Sequence, residues 1–223
     1  MLKKILEKFR RTLKEKGYTL IEVTAVLAVT SVLAAVVIPI AVDKIKKGGE
    51  TGALEDCKYI AASIASFYAD TGVWPARSAT TESYYQVLRS GPTNDTTTDP
   101  NAWGTGVQIT WDNMTVVDHA ENHIVADNPG GTLGAAPNNF YRTNLTLSQV
   151  DWKGPYVERM RRVDPWGKNY LVYVEGMHTA TLHSSIPASG WVLSAGPNGM
   201  VETKTSDAAP GGDDIGVIVY RKR

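Results

Sequence analysis

Residues 16–42 read KGYTLIEVTAVLAVTSVLAAVVIPIAV, and this stretch decides how the rest of the chain must be read. From position 23 to position 42 there are twenty residues without a charge. At about 1.5 Å per residue a helix of that length spans about 30 Å, the thickness of a bilayer core. The block in front of it, MLKKILEKFRRTLKEKG, carries seven basic and two acidic residues, a net +5. Basic residues ahead of a single span are retained on the cytoplasmic side, so the bulk of the chain is expected outside the cytoplasm.

A cleaved secretory signal has the same charge order, but here the basic region is long, no A-x-A site follows the apolar run, and Glu22 stands at its edge. A plain signal anchor accounts for the span without accounting for Glu22. A carboxylate at the rim of a bilayer is costly unless it is paired or reaches water. In a bundle of parallel helices Glu22 can meet an amino group on a neighbour, and an opposite charge there offsets much of that cost.

The junction Lys16-Gly17-Tyr18-Thr19-Leu20-Ile21-Glu22 closely resembles the prepilin signal of type IV pilins and type II secretion pseudopilins. The resemblance implies cleavage by a prepilin peptidase between Gly17 and Tyr18 and methylation of the new amino terminus at Tyr18. Glu22 then becomes the fifth residue of the mature chain, the family's assembly glutamate. Pro39 becomes its twenty-second, where a helix kink is expected because proline removes one helical hydrogen bond. Tyr18 stands where phenylalanine is usual.

Beyond the span, Ala53, Leu54, Cys57, Ile60, Ala61, Ile64, Ala65 and Tyr68 recur at three- and four-residue steps, which extends the helix to about residue 70. Gly48, Gly49 and Gly52 weaken it locally. Cys57, the single cysteine, is expected as a small buried hydrophobe and excludes an intramolecular disulfide. Gly72 and Pro75 end the helix.

The fold class is therefore α+β: a long N-terminal transmembrane helix packed on a small antiparallel β-sheet head. The expected organisation is a leader over 1–17, the helix over 18–70 with its span at 18–42, a variable loop-rich insertion over 71–153, and the sheet over 154–223. Strands are expected at 107–117, 168–174, 179–183, 191–195 and 217–220, with Tyr170, Val172 and Val174 on one face. Asp164-Pro165-Trp166-Gly167 has the residues of a type I turn. The pattern of Gly154-Pro155-Tyr156, Asp164-Pro165-Trp166-Gly167, Tyr170, Tyr173, the Gly196-Pro197-Asn198-Gly199 loop and Asp213-Asp214 resembles the major pseudopilin of type II secretion.

Asn198, Asp213 and Asp214 supply the kind of oxygen ligands that calcium prefers, if the glycine-rich loop folds back on the acidic pair. The resemblance implies a calcium ion here, although Asn198 stands where the family has an aspartate, which lowers the expected affinity. No other cofactor is expected. His119 and His123 lie four residues apart, but without a third ligand nearby they read as part of a solvated polar segment. The sequons at Asn94, Asn113 and Asn144 read as chance matches in a polar stretch.

Formal neutrality, with 23 basic and 23 acidic residues, argues against a nucleic-acid-binding surface. There is no phosphate-binding glycine loop, no G-x-S-x-G and no H-E-x-x-H, so an enzyme is not expected. The resemblance implies a homo-polymer, working with the peptidase, an inner-membrane assembly platform and other pilins or pseudopilins. The leading expectation is a type II secretion pseudopilus subunit, first in the inner membrane and then in a periplasmic or extracellular filament. A major or minor type IV pilus subunit is the near alternative, and a membrane-anchored binding ectodomain is the alternative of another class.

Overall fold

In the computed structural model the residues described are 18–77, 84–91, 117–131, 136–143, 151–174, 177, 189–203 and 207–221. The expected leader with Gly17, most of the strand expected at 107–117, the whole of that expected at 179–183 and the three sequons lie outside them. By compactness the chain divides into two units, Met1–Lys47 and Gly48–Arg223.

The described part of the first unit is helix from Leu20 onward. Helix α1 covers Leu20–Thr71, 52 residues, and is one helix among the described residues long and apolar enough to cross a membrane. Its large apolar side chains from Leu20 to Ile45 are exposed, as expected of a surface meant for lipid or for other helices. Pro39 lies inside the helix.

In the second unit the same helix changes character. Ala53, Cys57, Ile60, Ile64 and Phe67 are all buried, at the three- and four-residue steps of one face. The helix stops at Thr71 because Gly72 adopts φ 67° while its N–H still reaches the Tyr68 carbonyl (2.8 Å). A left-handed glycine is the usual way to end a helix at no steric cost.

That helical face packs on a five-stranded sheet. Its strands are β1 (Val87–Arg89), β2 (Val117–His119), β3 (Leu171–Tyr173), β4 (Ser189–Ser194) and β5 (Ile215–Arg221), in the order β2-β1-β3-β4-β5. All neighbours are antiparallel except β1 and β2, which are parallel. Two short helices, α2 (Ala120–Ile124) and α3 (Phe140–Thr143), follow β2.

The sheet is buried on both faces. Tyr170, Val172, Val174 and Val192 join the core under α1, together with Val217 and Val219. Val87, Leu171, Tyr173, Trp191 and Leu193 form a second core on the opposite face, with Ile218 packed against it. This is the period-two alternation of a strand, and it places Tyr170, Val172 and Val174 together as expected. The stretch 71–153, expected to be loop-rich, contributes β1, β2, α2, α3 and the core residues Leu88, Ile124 and Tyr141. Its short strands are held by partners distant in sequence, such as Leu88 opposite Val172, so little local pattern announces them.

The Asp164-Pro165-Trp166-Gly167 turn forms as expected, with the Gly167 N–H donating to the Asp164 carbonyl at 3.0 Å. The Asp164 carboxylate accepts from the N–H groups of Trp166 and Lys168 and from the Ser194 hydroxyl (2.6 Å), which ties the turn to β4. Trp166 lies against Gly49, where an added Cβ would come within 3.2 Å of its ring. The turn therefore anchors the helix as well as the sheet.

Candidate assembly segment and acidic loop

The N-terminal segment is organised by two residues. The Thr19 N–H and hydroxyl both donate to Glu22 Oε2, at 2.8 and 2.7 Å, and the Glu22 N–H donates back to Thr19 Oγ1 at 3.3 Å. This is a capping box, in which Ser or Thr at the helix start and Glu three positions later satisfy each other's backbone donors. Its signature is legible as Thr19-Leu20-Ile21-Glu22, and it gives Glu22 a role within its own chain beside the pairing expected with a neighbour. Tyr18, just ahead of the box, is exposed. Glu22 is therefore held at the amino end of α1 within one chain, next to the residue that would bear the new amino terminus.

The acidic loop lies at the other end of the sequence. Gly196 takes φ 63° and Gly199 φ 68°, and the Gly199 N–H closes the turn on the Gly196 carbonyl. A Cβ on Gly196 would collide with the Asp213 backbone, so glycine is what lets the two segments meet. Asp213 accepts from the Asn198 N–H at 3.0 Å. Asp214 Oδ2 accepts from the Glu202 and Thr203 N–H groups and from the Thr203 hydroxyl, at 2.8, 2.6 and 2.6 Å.

Asn198, Asp213 and Asp214 are thus brought together as the sequence suggested. Glu202, which sequence reasoning missed, joins them: its Oε2 accepts from the Asp213 N–H and from Asn198 Nδ2. Nothing in the Met200-Val201-Glu202 context signals that role. The Asn198 side-chain oxygen is already committed to the Met200 N–H (2.6 Å). Burial pushes the Asp214 carboxyl up to about 6, against the hydrogen bonds from Thr203 and Glu202, and the Glu202 charge adds to the rise. Its Oδ1, like Asp213 Oδ1, is buried without a hydrogen-bond partner among the described residues.

Those two orphaned oxygens bear on calcium, the ion that the resemblance implies. A buried, partnerless carboxylate oxygen is costly, and a hard cation with oxygen ligands would relieve it. Among the described residues, however, no group of three His, Cys, Asp or Glu side chains converges as a metal site. By donor chemistry Asp213 and Asp214 fit the ion; Asn198 contributes a backbone link rather than a free oxygen.

The histidines depart from expectation. Rather than sitting in a solvated segment, His119 and His123 are both buried, at 7% and 0% exposure. His123 Nε2 lies 2.9 Å from Asp118 Oδ2, and Nδ1 lies 2.6 Å from the Tyr141 hydroxyl. A carboxylate can only accept, so Nε2 carries the proton toward Asp118, and in the neutral ring Nδ1 accepts from Tyr141. Burial opposes charge on Asp118, yet hydrogen bonds from His123, Gly130 and His119 outweigh it and hold its pKa below the ordinary value. Both His123 nitrogens are engaged and α2 is only five residues long, so the pair does not form a metal-binding helix face. Asp118 is the partner that makes burial tolerable, and its role depends on a fold that sequence spacing does not reveal.

Residues 12–38 match the family described as the prokaryotic N-terminal methylation motif, a window that contains Gly17, Tyr18 and Glu22. The chain is also similar to the fimbrial protein EcpC of Eikenella corrodens, 34% identical over 65 residues. That match covers 29% of this chain and 42% of the relative, so it spans less than half of the relative's length. No solved structure matches the chain. The N-terminal motif and the fimbrial relative, read with the helix and sheet described above, support a type IV pilin-like layout for this chain.

Proposed function

We propose that the chain is a structural subunit of a type II secretion pseudopilus, polymerising through α1 to help export proteins. The observation that carries the filament reading is the methylation motif placed at the start of an exposed apolar helix. Cleavage by a prepilin peptidase after Gly17 leaves Tyr18 as an N-methylated first residue. The helix stays in the inner membrane with its amino end at the cytoplasmic face and the head outside. Subunits then enter the filament from an inner-membrane assembly platform, alongside other pilins or pseudopilins.

Glu22 sets the register. The capping box presents its carboxylate at the helix terminus, where the amino group of a neighbouring Tyr18 can pair with it. Either charge alone would be costly in hydrocarbon, so the pair favours one stagger between subunits. The pseudopilus reading is supported in the head by the acidic loop closing on the glycine turn and by the Asp164-Pro165-Trp166-Gly167 turn. Calcium, held by Asp213 and Asp214, would act there as a structural cross-link.

One observation favours a second reading, a type IV pilus subunit: the similar protein EcpC is named a fimbrial protein. Mass spectrometry of the membrane-purified protein tests the class. An N-methylated Tyr18 is expected, and an intact Met1 or cleavage after Ala41 would defeat it. Loss of protein export against loss of surface fibres, in a deletion strain, separates pseudopilus from pilus.

A further inference from the structure

We propose that Asn198 is a self-modifying site, where the Asn198-Gly199 peptide closes to a succinimide, releases ammonia and leaves a new carboxylate in the acidic loop. Asn198 is the only asparagine of the sequence that is followed by glycine. Ring closure needs a backbone nitrogen that can approach the side-chain carbon of the residue before it. A Cβ on the attacking residue obstructs that approach, and glycine has none. Gly199 also holds φ 68°, which glycine adopts without strain.

The fold keeps the reacting groups together. The Met200 N–H donates to Asn198 Oδ1 at 2.6 Å, and this bond, closed around Gly199, holds the side-chain amide beside the Gly199 nitrogen. The same N–H points at the oxygen on which negative charge develops as the nitrogen attacks, and a fixed donor there stabilises the tetrahedral intermediate. The nitrogen that must leave, Asn198 Nδ2, donates to Glu202 Oε2 at 3.3 Å, which orients the amide. The Gly199 N–H is held by the Gly196 carbonyl at 3.2 Å, a long bond to give up. Asn198 is exposed, so water and hydroxide reach it.

Hydroxide takes the Gly199 N–H proton, the nitrogen bonds to Asn198 Cγ, and the Cγ–Nδ2 bond breaks. Nδ2 leaves as ammonia with a proton from water, which restores the hydroxide. Water then adds to one of the two ring carbonyls and breaks its bond to the Gly199 nitrogen, which regains a proton. Opening at Cγ leaves an aspartyl residue at position 198, and opening at the backbone carbonyl leaves an isoaspartyl one. Either product replaces the Nδ2 donor by a negative charge. Glu202 Oε2 then faces a carboxylate, in a loop that already holds Asp213 and Asp214, so like charges loosen the closure.

Asn138 is the internal comparison. It is exposed too, and its Oδ1 accepts from the Phe140 N–H at 3.0 Å, but asparagine rather than glycine follows it. The modification stands apart from the filament reading and is tested on the full chain in detergent micelles. The chain is incubated in mildly alkaline buffer with chelator, then digested and read by peptide mass and by isoaspartyl-specific methylation. Position 198 should convert about tenfold faster than Asn138 or more, a barrier lower by roughly 1.4 kcal/mol. Isoaspartyl product should accompany aspartyl. Asn198→Gln, which must close a larger ring, should keep its amide. The converted chain and Asn198→Asp should each melt about 2–4 °C below the fresh parent in chelator. Conversion no faster than at Asn138, conversion only after unfolding in urea, or aspartyl product alone would overturn the ring closure. A converted chain that melts like the fresh parent would overturn its effect on the loop.

Discussion

Asp214→Asn is the most informative single change, because it separates what the acidic loop does by itself from what a cation would add. An unfolded aspartate titrates near its ordinary 3.8, while the folded side chain titrates at about 6. Between those values the folded state binds more protons than the unfolded state. Stability contributed by this group is therefore present below about pH 4, falls as pH rises to about 6, and is flat above. A tenfold difference in proton affinity between the folded and unfolded states is worth about 1.4 kcal/mol, so the ceiling is about 3 kcal/mol. Allowing for water at the rim of the loop, about 1–2 kcal/mol is a fair expectation. For a head of this size that is roughly 2–8 °C in melting temperature.

The assay is a thermal melt of parent and Asp214→Asn across pH 4–7.5, each in chelator and in calcium. The parent-minus-variant difference isolates Asp214 from groups of the opposite sign such as Asp118, whose low pKa makes its contribution fade as pH falls. In chelator the parent should lose ground against the variant between about pH 4 and pH 6. In calcium the orphaned Oδ1 atoms of Asp213 and Asp214 gain a partner, the charged form is favoured, and the loss should vanish for the parent alone. A difference that does not change with pH would refute the account of Asp214 as a buried, under-partnered carboxylate. A parent unmoved by calcium would remove the ion from the loop.

Other outcomes follow from the same structure. Glu22→Ala should leave membrane insertion intact but abolish filaments in a shearing assay; normal filament yield would contradict the pairing argument. Phe67 is fully buried and meets Tyr141 and Tyr156 edge-on at 4.9 and 5.5 Å, so Phe67→Ala should cost about 3–5 kcal/mol in urea unfolding. Tyr141→Phe leaves His123 Nδ1 without its hydroxyl in a dry site and should cost about 1–3 kcal/mol, whereas an exposed tyrosine such as Tyr59 should tolerate the same change. Ser194→Ala removes the hydroxyl that donates to buried Asp164 and should destabilise by about 1–3 kcal/mol, read in the same way.

Much of the fold was legible because it rests on local periodicity. The spacing of Ala53, Cys57, Ile60 and Ile64 marks a helix face before any partner is known, and Gly72 marks its end, whereas the stripe read from the sequence passed over Phe67 for the exposed Tyr68. The alternation through Tyr170, Val172 and Val174 sorts one strand onto its face. Thr19 and Glu22 were within reach of the sequence for the same reason, since a capping box acts within four consecutive residues. Asn198, Asp213 and Asp214 were recognisable as a set only through glycine-marked turns. Glu202 was not, because its carboxylate matters only once the loop has closed on Asp213.

By itself, then, the sequence determined that a block of net charge +5 precedes an uncharged apolar helix, that the helix continues into an apolar face, and that a sheet follows. These features depend on runs and periods a few residues long, and their physics is the thickness of a bilayer and the pitch of a helix. Tertiary structure alone decided that His123 is buried between Asp118 and Tyr141, that Trp166 of a β-turn presses on Gly49, and that residues 87–89 and 117–119 complete the sheet. Most of those contacts join groups far apart in sequence. A polar or weakly patterned segment carries no mark of the partner that satisfies it until the chain has brought that partner within reach.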